Sequence, residues 1–309
     1  MSYLENLTLR LAVGAMRLPD ETRQRHAAFL ARRQNDDGGF SGREGPSDLY
    51  YTGFAIRGLA LLGGLSDDAA ARASRYLCER LAGKMPGVDF LSLVSSALLL
   101  EATPAIDVFA AAGRDRTLAV THTLEPLSRP DGGYAKSPRS PHSSTYLTFL
   151  AASSKQLVGA AVEEPLRMIE LIRSRQRDDG GFVEFAQIRQ SGTNPTAAAI
   201  GALRLLGAMD EATRARAQAF LAGMQNAEGG FRASARIPVA DLLSTFTGLV
   251  ALADLDALRA VDLPGVRRYV EALEQAEGGF RGGVWDDTAD VEYTFYGLGT
   301  LALLANLDS

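Results

Sequence analysis

The chain has 309 residues, 46% of them hydrophobic, and a formal net charge of −5, so it can bury a substantial core. That charge argues against nucleic acid as a partner, which calls for a concentrated basic face, and the single cysteine, Cys78, excludes an internal disulfide. Glu5, Arg10 and Arg17 interrupt the N-terminal stretch too often for a signal peptide or a spanning helix, so a cytoplasmic protein with no membrane span is expected.

In chain order the predicted elements come in pairs. An outer helix with one polar face leads to "QNDDGGF" (34–40), and an apolar inner helix follows from a capping residue at Asp48. The second pair surrounds the eroded turn "GKMPG" (83–87), with Asp89 as its cap. The third turn is "RPDGGY" (129–134), with its cap at Ser143. The fourth is "QRDDGGF" (176–182), where Asn194 caps and Pro195 takes the first helical position. The fifth, "QNAEGGF" (225–231), leads to Asp241, and the sixth, "QAEGGF" (275–280), to Asp290.

The first glycines, Gly38, Gly132, Gly180, Gly229 and Gly278, recur at about 48 residues, with the first interval about twice that. Six units therefore cover nearly the whole chain as one domain, 1–309. The glycine pairs are expected to end the outer helices by supplying left-handed backbone angles. No alternating strand pattern is present, so the fold is all-α. The inner helices ("TAAAIGALRLLGA", "TFYGLGTLALL") are apolar almost all round, which favours six inner and six outer helices closed into a barrel around a cavity. Their capped N-termini would gather at one end, where helix dipoles suit an anionic head group.

The repeated Gln-x-x-x-Gly-Gly-Phe turn resembles that of protein prenyltransferase β-subunits, particularly type II geranylgeranyltransferase, and of the related terpene cyclases. Gln34, Gln176 and Gln225 match its glutamine, while Ser128 and Glu274 replace it in two units. The resemblance implies an α/α toroid holding an isoprenoid diphosphate in an aromatic-lined funnel, a helical α-subunit-like partner, and a glutamine that ties down the end of the outer helix. It also implies a zinc ion held by an Asp-x-Cys and a histidine. Here those places read Asp241-Leu242-Leu243 and Asp290-Val291-Glu292-Tyr293, and His26, His122 and His142 are scattered, so no zinc site is expected.

Asp241, Asp290 and Tyr293 are then the candidate catalytic residues. Arg189, Arg232 and Arg236 are candidates for the diphosphate. Tyr51, Tyr146, Phe246, Trp285 and Tyr296 are candidates for an aromatic wall that would suit a polyene. Asp286, Asp287 and Asp290 form an Asp-Asp-x-x-Asp string, a candidate magnesium site resembling that of class I terpene synthases. Three functions follow: an isoprenoid-binding, prenyltransferase-like protein working without the usual zinc, a zinc-free terpene cyclase using the acids with magnesium, and a non-catalytic lipid-binding or docking toroid.

Overall fold

The first glycine of each turn explains how the repeats join. The structure, a computed structural model, describes residues 1–83, 87–101, 103 and 107–307; residues 84–86 of the eroded second turn lie outside them. Gly38, Gly132, Gly180, Gly229 and Gly278 all have φ between 84° and 93°, the left-handed region expected of them. A β-carbon at these five positions would also fall 2.2–2.7 Å from backbone atoms of a neighbouring outer helix.

The second glycine has a different reason. At Gly39, Gly181 and Gly230 a β-carbon would strike the ring of Tyr76, Phe220 or Tyr269 on that same outer helix, and at Gly133 it would strike Leu171. Only in the sixth turn are both glycines, Gly278 and Gly279, left-handed.

The described residues form α1 (Tyr3–Ala15), α2 (Asp20–Ala31), α3 (Leu49–Leu62), α4 (Asp67–Leu81), α5 (Gly87–Leu100), α6 (Val108–Ala111), α7 (Arg116–Leu124), α8 (Thr145–Leu157), α9 (Pro165–Ser174), α10 (Thr193–Leu205), α11 (Glu211–Ala222), α12 (Leu242–Asp254), α13 (Leu263–Leu273) and α14 (Val291–Ala305). Outer helices α2, α9, α11 and α13 end before the turn glycines are reached, so the glycines do not stop them, contrary to expectation. After each helix the chain forms a small β-arch. Gln34 bridges Phe40 and Phe40 bridges Asp48, with matching bridges at Gln176, Phe182 and Gly192. In the fifth repeat the arch lengthens to two short strands, β1 (Phe231–Arg232) and β2 (Ala240–Asp241), the only sheet among the described residues and one the alternation pattern does not reveal.

Two compact units are present. In the terminal unit, Asn6–Thr123 with Leu273–Ser309, α3 packs against α5 on one side and α14 on the other, with α2 and α4 outside. Gly278 of the last turn rests on the Arg25 backbone of α2, so the sixth repeat docks on the first. In the central unit, Leu124–Ala272 with Met1–Glu5, α10 lies between α8 and α12, with α9 and α11 against it.

Side chains fasten each arch. The amide of Gln34 donates to Gly38 O and to Ala69 O of α4, and Gln225 does the same to Gly229 O and Asp262 O, the latter just before α13. The glutamine thus ties a turn to the next outer helix. The turn aromatics Phe40, Tyr134, Phe182, Phe231 and Phe280 are buried, and their amides donate to Thr52, Thr148, Thr196, Thr245 and Thr294 of the inner helices. Thr196→Val keeps the shape but orphans the buried Phe182 amide, so a loss of about 1–3 kcal/mol is expected in chemical denaturation, with Thr196→Ser close to wild type.

Three of the expected caps form: Asp48 accepts from the Tyr50 and Tyr51 amides, Asp241 from Ser244 and Asp290 from Tyr293. The other three are displaced. Ser144, not Ser143, caps α8, because the Ser143 hydroxyl donates to the turn carboxylate of Asp131. Helix α10 starts after Gly192, leaving Asn194 and Pro195 inside its first turn, because Thr193 bonds forward to the carbonyls of Arg232 and Ala233. Asp89 lies within the first turn of α5.

Candidate functional site

The densest group of functional side chains lies where α3 and α14 meet in the terminal unit. Tyr50, Phe54 and Arg57 recur at helical spacing along α3, and Tyr293 and Tyr296 along α14, so each set shares a face. The Phe54 ring centroid lies 4.9 Å from Tyr50, 5.2 Å from Tyr296 and 5.6 Å from Phe295. The Arg57 guanidinium sits over Phe54 at 4.2 Å and over Phe295 at 4.7 Å. Glu292 Oε1 accepts from the hydroxyls of Tyr50 at 2.6 Å and Tyr296 at 3.2 Å, which fixes both phenols. Tyr51 and Tyr293 lie over Gly42 and Gly282, where any β-carbon would strike their rings.

Above these rings stand two buried acids and one arginine. Asp290 Oδ1 accepts from the Tyr293 amide at 2.8 Å, and its Oδ2 is 3.5 Å from Arg43 Nε. Burial pushes its carboxyl up to about 6, against the pull of the Tyr293 amide. Asp286 pairs with Arg43 and accepts from the amides of Thr288 and Gly282. Burial opposes its charge too, but the Thr288 amide and Arg43 outweigh it and hold the carboxyl below the usual range. Two neighbouring carboxylates are therefore driven apart in acidity, one charged and one protonatable near neutrality.

Of the predicted residues, this site gathers Tyr51, Asp286, Asp290, Tyr293 and Tyr296. Asp287 does not join it: its side chain is 99% exposed, 3.9 Å from Arg281. Trp285 is also exposed. In the central unit Phe246 is buried, Tyr146 is exposed, and Arg189 and Arg236 stand exposed on loops. Arg232 turns back to the end of α11, donating to the carbonyls of Gly223 and Met224. Arg43, Arg57 and Glu292 were missed, since nothing in "SGREGPSD" marks Arg43 as the partner of a residue 243 positions away.

The residues at the places the zinc resemblance implies do not fit that metal. Asp241 spends both oxygens on Ser244, accepting from its amide at 2.7 Å and its hydroxyl at 2.8 Å, and Leu243 offers no lone pair. Among the described residues no three His, Cys, Asp or Glu side chains converge as a metal would need. In the acidic string, Arg43 holds Asp286 and approaches Asp290 while Asp287 faces solvent, so magnesium would have to displace a bound guanidinium.

A family model describing the prenyltransferase alpha-alpha toroid domain matches residues 4–187 and 184–309. The chain belongs to this family. Its fold class is accordingly the all-α, α/α toroid. Solved structures agree in fold: protein geranylgeranyltransferase-I of Candida albicans, complexed with GGPP, superposes with a TM-score of 0.72 at 15% identity, over 91% of this chain and 90% of that one. A variant of the type II terpene cyclase MstE from Scytonema, in complex with geranylgeranyl dihydroxybenzoate, gives 0.64 at 14% identity over 98% and 99%. The Lin0763 protein of Listeria innocua gives 0.63 at 12% identity over 94% and 97%. No protein of curated function matches this toroid chain in sequence. Among the described residues no helix of this family member is long and apolar enough to cross a membrane.

Proposed function

We propose that the chain binds a linear isoprenoid without zinc, gripping it on the aromatic wall of α3 and α14. The observation that carries this reading is the continuous set of rings from Tyr50 through Phe54 to Tyr296, with both phenols fixed by Glu292. Ring faces accommodate polyene chains, and their quadrupoles stabilise cationic centres that form along them. The isoprenoid-bound neighbours support the same ligand class.

Titration calorimetry with geranylgeranyl diphosphate and with geranylgeraniol tests it. Binding in the micromolar range is expected, and Tyr50→Leu or Tyr51→Leu is expected to weaken it by about three- to ten-fold each. Absence of binding at millimolar ligand, or one equivalent of tightly held zinc in the purified protein, would overturn the proposal.

One observation favours a second reading, acid-initiated cyclisation. The Asp290 carboxyl, raised to about 6 and adjoining the aromatic wall, is a proton source of the right kind. Its O–H would protonate a terminal alkene, the carbocation would close rings against the aromatic faces, and a proton lost from carbon would end the sequence. Product analysis by gas chromatography with wild type and Asp290→Asn decides this, and products formed equally by both would rule it out.

A further inference from the structure

The geometry points to the loop end of the central unit as a docking surface for an anionic lipid bilayer. Three successive loops form this end: 135–143, 183–192 and 232–240. They are laced together, with Gln187 within 3.2 Å of the His142 ring and the Thr193 amide donating to Ala233 O. Their charge is one-sided. They contain Lys136, Arg139, Arg189, Arg232 and Arg236, and Glu184 as their one acid, in a chain whose acids outnumber its bases.

Glu184 is already engaged, accepting from the Ser144 hydroxyl and lying 3.9 Å from Lys136. Arg232 is folded back, but Lys136, Arg139, Arg189 and Arg236 are exposed. In the corresponding loops of the terminal unit, 41–47 and 281–289, the acids prevail: Arg43 and Arg281 stand against Glu44, Asp286 and Asp287.

Next to the exposed arginines stand exposed aliphatic side chains. Ile188 is 41% exposed beside Arg189, and Ile237 and Val239 are 42% and 37% exposed beside Arg236. A soluble phosphate gains nothing from these apolar tips. Single aliphatics flanked by cations suit a bilayer interface, where the alkyl groups enter the acyl boundary and the guanidinium groups meet anionic heads.

The loops are also held in place. Arg129 donates to the carbonyls of Ser137, Pro138 and Ser140, Arg177 to those of Ala186 and Ile188, and Asn226 to that of Pro238. Little ordering is left to oppose binding. This goes beyond the isoprenoid reading and does not depend on it, since the vesicles that test it contain no isoprenoid.

The test is co-sedimentation with vesicles of phosphatidylcholine alone or with 30% phosphatidylserine, at low and at 0.5 M salt. Binding to the anionic vesicles at low salt is expected, with little to the zwitterionic ones. Arg189→Ala with Arg236→Ala should lower partition on the order of twenty-fold, and Ile237→Ser with Val239→Ser by about five-fold or more. All four side chains are exposed, so the variants should unfold thermally like wild type. No partition into anionic vesicles at low salt would overturn the proposal. So would partition unchanged in folded variants, or retention on soluble polyglutamate with none on vesicles.

Discussion

Replacing Gly229 with alanine is expected to lower the stability of the protein by about 3–4 kcal/mol in equilibrium denaturation. Two costs combine at this position. The backbone sits at φ 93°, which an L side chain occupies only with strain. In addition, the new methyl would lie 2.2 Å from the carbonyl oxygen of Gly265, on the first turn of α13, and a backbone atom cannot swing aside as a side chain does. Gly207→Ala separates the two costs. It has φ 64° in the same unit, with nothing within 4 Å of the added carbon, so it carries the backbone strain alone and should cost about 1 kcal/mol. Equal losses in the two variants would mean that outer-helix contact does not fix the first glycine.

That contrast shows which parts of the fold the sequence makes legible. The period of the Gly-Gly-aromatic turn exposes the repeat because each copy meets the same steric demand from a neighbouring outer helix. Helix type was equally readable, since α12 and α14 are apolar nearly all round, as helices enclosed by neighbours must be.

Helix starts were less legible. Ser143 and Ser144 are chemically identical caps, and only the demand of Asp131 for a hydroxyl decides between them. Asn194-Pro195 reads as a helix start, but the tertiary bond from Thr193 to the next loop moves the boundary. The site shows the same limit. Its aromatics announce themselves by spacing on one helix, whereas Arg43 and Asp286 meet only because the sixth repeat docks on the first. Pairings of that kind leave no local pattern.

Asp290→Asn is expected to act in the opposite direction, stabilising the protein at pH 7.5 by about 2–3 kcal/mol. The folded carboxyl titrates at about 6, above its ordinary 3.8, because burial disfavours its charged form. The folded state therefore holds this proton more tightly than the unfolded chain does. The group costs nothing below about 3.8, costs progressively more as the pH rises to about 6, and carries its full penalty above that. Asparagine removes the charge but keeps an oxygen for the Tyr293 amide, so the cap on α14 survives. Asp286 has the reverse sign: its lowered value contributes stability above 3.8 that is lost as the pH falls. Arg43 keeps that partner in the variant, so subtracting the variant's pH–stability curve from that of wild type isolates Asp290. A difference that is flat between pH 4 and 7 would mean that the carboxyl is not held out of water. A stabilised variant that also loses cyclised product would show why a protein retains a costly acid at this place: the burial that weakens the fold is what keeps a proton available beside the aromatic wall.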